Sequence, residues 1–154
     1  MVLGVQQVVV AEAMLLGQRL GLDPKVLASV INSSTGKCWA SEANNPVKDA
    51  VEMPKGQAGP PAQRKYEGGF AASLMLKVRD NFLSPVLPLT EVTFKDMGLA
   101  TGSGKMLGVP LPLGEKAEGV YAEMLKTRPE LAIRDFSSVY KYLEKLQGQK
   151  SGTM

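Results

Sequence analysis

The chain has 154 residues, room for about one domain, and a net charge of only +3 from 18 basic and 15 acidic side chains. That balance leaves no clustered basic face for nucleic acid, and no apolar run reaches the length of about 18 residues that a membrane span needs. Histidine is absent and Cys38 is the sole cysteine, which removes the commonest neutral-pH acid/base, an intrachain disulfide and a zinc cluster; no spacing of carboxylates suggests a hard-metal site either.

Residues 2–20 repeat apolar side chains at helical spacing, with Val5, Val9, Ala13, Leu16 and Leu20 along one face. Apolar residues spread beyond a narrow stripe, so this helix is expected to be buried on most sides. No basic segment precedes it and Glu12 lies within it, which favours an amphipathic helix over a signal peptide. No capping residue opens it, as though the helix had been cut from a longer chain. Gly21 suits a left-handed cap at its end. Asp23-Pro24 then gives an N-cap followed by proline at the first helical position. The helix that follows reaches about Ile31, with Val26, Leu27, Val30 and Ile31 as its apolar face. Asn32 to Gly36 breaks it with turn-forming residues, and Trp39 is expected to anchor what comes next.

Ser41–Lys65 is rich in Pro, Gly, Ala, Asn and Gln, without periodicity. Irregular segments of that length are functional, mobile or both. Arg64-Lys65, like Lys141–Lys150, reads as solvated surface. The stretch Gly68–Lys77, GGFAASLMLK, predicts a short amphipathic helix entered through two glycines. Phe70, Leu74 and Lys77 fall at i, i+4 and i+7, on one face. A ring and an ammonium so aligned fit a flat anionic ligand; a core pair with a snorkelling lysine is the competing reading.

Val78–Phe94 carries Pro85 and Pro88 and does not continue that helix. Helical composition resumes at Lys95-Asp96. Thr101-Gly102-Ser103-Gly104-Lys105 has a phosphate-loop look, but Met106 follows the lysine, the glycine spacing is wrong and no strand precedes it. Pro110 and Pro112 open the next helix, with Ala117, Val120, Tyr121, Met124 and Leu125 facing inward. Asp135 caps the last helix, whose apolar face is Phe136, Val139, Tyr140, Leu143 and Leu146. Gln147–Met154 is expected to fray. No run reads as a strand and no repeat is present, so the fold expected is an all-α bundle of about five or six helices.

Taken in order, AEAMLLGQRLGLDPKVLASVINSSTGKCW, NNPVK, YEGGFAASLMLK, DMGLA, PLPLGEKAEGVYAEM and DFSSVYKYL resemble the 3-hydroxyisobutyrate dehydrogenases. The likeness is to the C-terminal helical domain of the β-hydroxyacid (6-phosphogluconate-like) dehydrogenases. It covers Val2 to Leu146, one stretch excepted. The resemblance implies oxidation of 3-hydroxyisobutyrate to methylmalonate semialdehyde with NAD in valine breakdown, in mitochondria for a eukaryotic member. It also implies an N-terminal Rossmann domain, a helix carrying a catalytic lysine in a GxxxKxxNN pattern, and oligomer contacts through the helical domain.

Two departures stand out. The Rossmann half and GxxxKxxNN have no counterpart here, so no catalytic residue is assigned, and this chain alone is expected neither to hold NAD firmly nor to transfer hydride. The family's LMxKD is split between Lys77 and Asp96 by Val78–Lys95. Val78-Arg79 can be encoded GTAAGA, Leu89-Thr90 contains CTAAC in one encoding, and a lysine codon ends in AG. Those are the donor, branch and acceptor signals of a short intron, so Val78–Lys95 is expected to be a translated intron. The domain then runs over 1–147, with 78–95 inserted and 148–154 a disordered tail. By resemblance Lys77 is the cofactor contact, Phe70 shares its face, and Asp96 helps orient it, with Lys95 a rival. Expected partners are NAD and a small hydroxy acid once a Rossmann domain is joined, and a second copy of the chain; neither nucleic acid nor membrane is expected. A tartronate semialdehyde reductase-like enzyme and a non-catalytic self-association module are the alternatives.

Overall fold

The computed structural model describes residues 1–52, 59–67 and 89–150, except for the side chains of 89–94 and 148–150. Phe70 and Lys77 lie outside these residues, as does most of the expected insertion. Six α-helices occur among the described residues: α1 (Val2–Arg19), α2 (Pro24–Asn32), α3 (Trp39–Glu42), α4 (Leu89–Leu107), α5 (Pro112–Thr127) and α6 (Val139–Lys150). Three 3-10 turns, Pro61–Arg64, Pro129–Leu131 and Phe136–Ser138, link them, and no described residue is in a strand. The all-α expectation holds.

Local chemistry sets several boundaries. Gly21 adopts φ +82°, open to glycine without steric cost. Asp23 Oδ1 then accepts from Lys25 N at 2.8 Å and Val26 N at 3.1 Å, and Pro24 opens α2. The Thr101–Lys105 run lies within α4 rather than in a loop, so its amides serve the helix and cannot cradle a phosphate. The last helix reaches Lys150, beyond the Gln147 at which fraying was expected.

Helix α1 is the axis of the bundle and packs against α2, α3, α5 and α6. Its buried side is Gly4, Gln7, Val8, Val10, Ala11, Met14, Leu15 and Gly17. This corrects the expected face, because Val9 (54%), Leu16 (62%) and Leu20 (71%) are exposed. The helix is apolar nearly all round, so periodicity does not choose a side. Its glycines do: a Cβ on Gly4 would stand 2.6 Å from Met97 Sδ on α4, and one on Gly17 would strike Leu27 of α2. On α2, Val26 and Val30 are likewise exposed while Ala28 is buried. On α5 the expected Ala117, Tyr121 and Met124 are buried. With Met14, Met97, Phe136 and Val139 they form the centre of the core.

Candidate functional site

Asp96 is the one expected cofactor residue among those described. It stands on α4, exposed, next to exposed Lys95. The opposite side of α4 fixes that orientation. Met97 is fully buried against α1, and the Thr101 hydroxyl donates to Glu118 Oε2 of α5 at 2.6 Å. With Met97 and Thr101 turned inward, helical spacing turns Lys95, Asp96 and Leu99 outward. Neither Lys95 nor Asp96 has an ion-pair partner among the described residues. An ammonium and a carboxylate thus occupy consecutive exposed positions of α4. Phe70 and Lys77 cannot be related to this face, since both fall outside the described residues.

The long segment after Trp39 is more ordered at its start than its composition suggested. Trp39 stacks on Phe136, with ring centres 6.3 Å apart, in line with the anchoring expected of it. The Ser41 hydroxyl donates to Asn32 Oδ1 at 2.7 Å. Asn45 Nδ2 donates to Ser41 O at 3.0 Å, and Asn45 Oδ1 accepts from Val47 N at 3.1 Å. The Tyr66 hydroxyl closes the loop on Pro46 O at 2.7 Å. Burial pushes the Tyr66 phenol pKa well above its ordinary range, with the charges of Tyr140, Glu144 and Asp135 adding to the effect.

Beneath this loop lies a buried polar network that sequence reading did not foresee. Asn44 Nδ2 donates to Gln7 Oε1 and to Asp135 Oδ1, both at 3.1 Å. Asp135 Oδ1 also accepts from Ser137 N at 2.9 Å and Ser137 Oγ at 2.6 Å. The cap role was legible in Asp135; its burial was not. Desolvation raises its carboxyl pKa, and the donors from Ser137 and Asn44 pull the other way. Asp135 Oδ2 and Ser138 Oγ have no hydrogen-bond partner among the described residues. The network ties α1, the Asn44–Val47 loop and the entry to α6 into one unit, and so fixes the scaffold from which α4 projects Asp96.

Among the described residues no cluster of three or more His, Cys, Asp or Glu could hold a metal. No described helix is long and apolar enough to cross a membrane.

Residues 1–81 match the family model described as NAD-binding of NADP-dependent 3-hydroxyisobutyrate dehydrogenase. That match includes Phe70 and Lys77 and stops inside the expected insertion. The chain is 39% identical over 145 residues to mitochondrial 3-hydroxyisobutyrate dehydrogenase of Drosophila melanogaster, covering 94% of this chain and 37% of that protein. The corresponding Homo sapiens protein is 36% identical over 143 residues, covering 93% of this chain and 35% of that one. Among solved structures, Mycobacterium tuberculosis 3-hydroxyisobutyrate dehydrogenase with L-serine superposes with a TM-score of 0.71 at 33% identity, covering 92% of this chain and 40% of that one. The chain spans little more than a third of the length of these curated relatives. On the strength of the family match, this chain belongs to the 3-hydroxyisobutyrate dehydrogenase family.

Proposed function

We propose that this chain is the helical, coenzyme-closing part of an enzyme that oxidises 3-hydroxyisobutyrate to methylmalonate semialdehyde with NAD. In that role NAD accepts the hydride. Lys77 supplies positive charge beside the coenzyme, Phe70 a flat surface, and Asp96 a carboxylate that orients the ammonium. An ammonium facing a coenzyme in a closed site is worth more than in water, because the local dielectric falls. The family match over residues 1–81, which takes in both Phe70 and Lys77, is the observation that carries this reading. Valine breakdown and a mitochondrial address follow from the same proposal, the second supported by the names of the eukaryotic relatives. We further propose that Val78–Lys95 is a translated intron; transcripts that retain it as the dominant form would sink that idea.

The test is complementation. The chain is mixed with the separately produced Rossmann half of a relative, and NADH formation from 3-hydroxyisobutyrate is followed by absorbance. NADP is run in parallel, because the family model's description mentions it. Activity that rises with added chain, and falls with Lys77→Ala, supports the proposal. If the relative's own two halves restore activity together and this chain does not, the proposal fails. Substrate preference for tartronate semialdehyde in the same assay would move the chain to that neighbouring activity.

A second reading is favoured by one observation. Val9, Leu16 and Leu20 leave an apolar stripe on α1 open to solvent, and exposed patches of this kind promote association. A helical self-association module is therefore the alternative. Sedimentation would detect oligomers that Val9→Glu/Leu16→Glu disperses, without any NAD binding.

A further inference from the structure

A groove of about 600 Å³ runs between the Asn44–Val47 loop, the turn at Pro61–Arg64, the Arg128–Arg134 segment and the first turns of α6. It shares no residue with Lys77, Phe70 or Asp96, so its fate and that of the coenzyme proposal are separable. The floor is apolar and aromatic, with Val47, Leu131, Tyr66 and Tyr140 all buried. The walls carry five basic residues and two acidic ones. The two acidic side chains of the walls are both engaged. Glu130 is held by Arg128 and Glu144 by Lys141, while Arg134 binds Glu67 at 2.6 Å. Lys48 and Lys65 have no ion-pair partner among the described residues. The excess positive charge of the groove is therefore carried by these two ammonium groups.

The backbone that presents them is unusual. Lys65 and Tyr66 are consecutive non-glycine residues in the left-handed region, at φ +53° and +64°. Asp49, next to Lys48, has φ +61°. These are the only non-glycine residues of positive φ among those described; Lys65 and Tyr66 line the groove, and Asp49 follows its wall residue Lys48 in sequence. Such conformations are held only where surrounding structure over-determines them, and they cluster at binding sites. Here the hold is visible: Tyr66 N donates to Pro61 O at 2.6 Å, Asp135 N donates to Tyr66 O at 2.9 Å, and the Tyr66 hydroxyl donates to Pro46 O. The result turns Lys65 outward at the lip while the Tyr66 ring forms the floor.

We propose that this groove binds a small phosphate-bearing anion, with Lys48 and Lys65 as its charge contacts. Arg128 and Arg134 each give one nitrogen to a glutamate, which neutralises their charge. The uncommitted cations are lysines, compact point charges suited to the rounder phosphate. The buried floor accommodates an apolar or aromatic part attached to that phosphate.

Inorganic pyrophosphate and citrate, each titrated into the whole chain at constant ionic strength, provide the probes, with isothermal calorimetry and melting temperature as readouts. Pyrophosphate binds and raises the melting temperature; citrate does so more weakly. Lys48→Gln lowers affinity about tenfold, the size of one charge-assisted contact. Lys65→Asn does the same and keeps a residue that tolerates the left-handed backbone. Lys65→Gly, which removes the charge with no backbone penalty, is the check on folding. Lys116→Gln/Lys126→Gln, on exposed positions of α5 outside the groove, leaves affinity unchanged. The proposal is overturned if chloride at matched ionic strength reproduces the effect, if citrate equals pyrophosphate, or if the α5 double variant weakens binding as much as the groove variants.

Discussion

Asp135 offers the sharpest test of how this fold is held together, because two substitutions at one position should separate sharply. Asp135→Ala removes the acceptor used by Ser137 N, Ser137 Oγ and Asn44 Nδ2. Losing a cap costs about 1 kcal/mol, and each buried donor left stranded costs about 1–3 kcal/mol. Asn44 keeps its bond to Gln7, and release of a desolvated carboxylate returns part of the loss. We expect a net destabilisation of about 2–4 kcal/mol, a large share of the roughly 5–15 kcal/mol typical of a domain. Asp135→Asn keeps an oxygen for all three donors and puts a neutral amide where Oδ2 has no partner among the described residues. It should lie within about 1 kcal/mol of the wild type at neutral pH. Burial raises the Asp135 pKa. Such an acid holds its proton more tightly when folded, so its contribution is intact below the unfolded value of about 3.9 and is lost as pH rises through the folded one. The stability of Asp135→Asn relative to wild type should therefore improve as pH rises across that window. Urea denaturation over a pH series measures all three proteins. A gap independent of pH, or an asparagine variant as damaged as the alanine one, would refute this account of the network.

Other outcomes follow from particular contacts. Tyr66→Phe loses the bond to Pro46 O and should cost about 1 kcal/mol; a larger loss of pyrophosphate binding than of stability would point to a direct role in the groove. All four tyrosines, Tyr66, Tyr121, Tyr140 and Tyr142, have phenols raised chiefly by burial. Raised acids of this kind stabilise until pH climbs through their folded pKa. Phenolate absorbance should therefore stay low past the ordinary value of about 10 and then rise together with unfolding, and a smooth titration centred at that value would contradict it. Gly4→Val should cost about 1–3 kcal/mol by overpacking against Met97, and adding Met97→Ala should recover part of it. Absence of any recovery in the double variant would mean that the two helices do not meet there.

What the sequence revealed divides by range. Gly21, Asp23 and Pro24 act within one turn of chain, and their roles are readable as written. The buried side of α5 is readable too, since Lys116, Glu123 and Lys126 leave Ala117, Tyr121 and Met124 as the only continuous apolar face. Helix α1 has no such polar contrast, and its burial is decided by which neighbours come close to Gly4 and Gly17. Asp135 was legible as a cap, but Asn44 lies 91 residues from it in sequence and Gln7 a further 37 from Asn44. No local pattern marks partners at that distance. Lys65 reads as ordinary surface in the sequence because lysine and tyrosine carry no signal for left-handed backbone; only the tertiary bonds around Tyr66 impose it.

Helix α4 bears on the coenzyme proposal in a way that neither its composition nor the family match does. It begins at Leu89, inside the expected insertion, yet this does not count against the intron. No proline or glycine lies between Leu89 and Lys95, so a helix nucleated by the packed Met97 and Thr101 extends backwards through that segment at little cost. In an uninterrupted LMxKD order, Lys77 would directly precede Asp96 and so take the backbone place of Lys95. That place is on the exposed side of α4 beside Asp96. The position ahead of Asp96 therefore carries an ammonium whether or not the insertion is present, and under the coenzyme proposal the two lysines are rivals for one role. Lys77→Ala and Lys95→Ala in the complementation assay distinguish them, with a chain lacking 78–95 as the third arm. If Lys77 is the contact, its removal abolishes activity in both chains and Lys95→Ala is silent. Activity lost only with Lys95→Ala in the full chain would transfer the contact to Lys95 and make the insertion part of the working site.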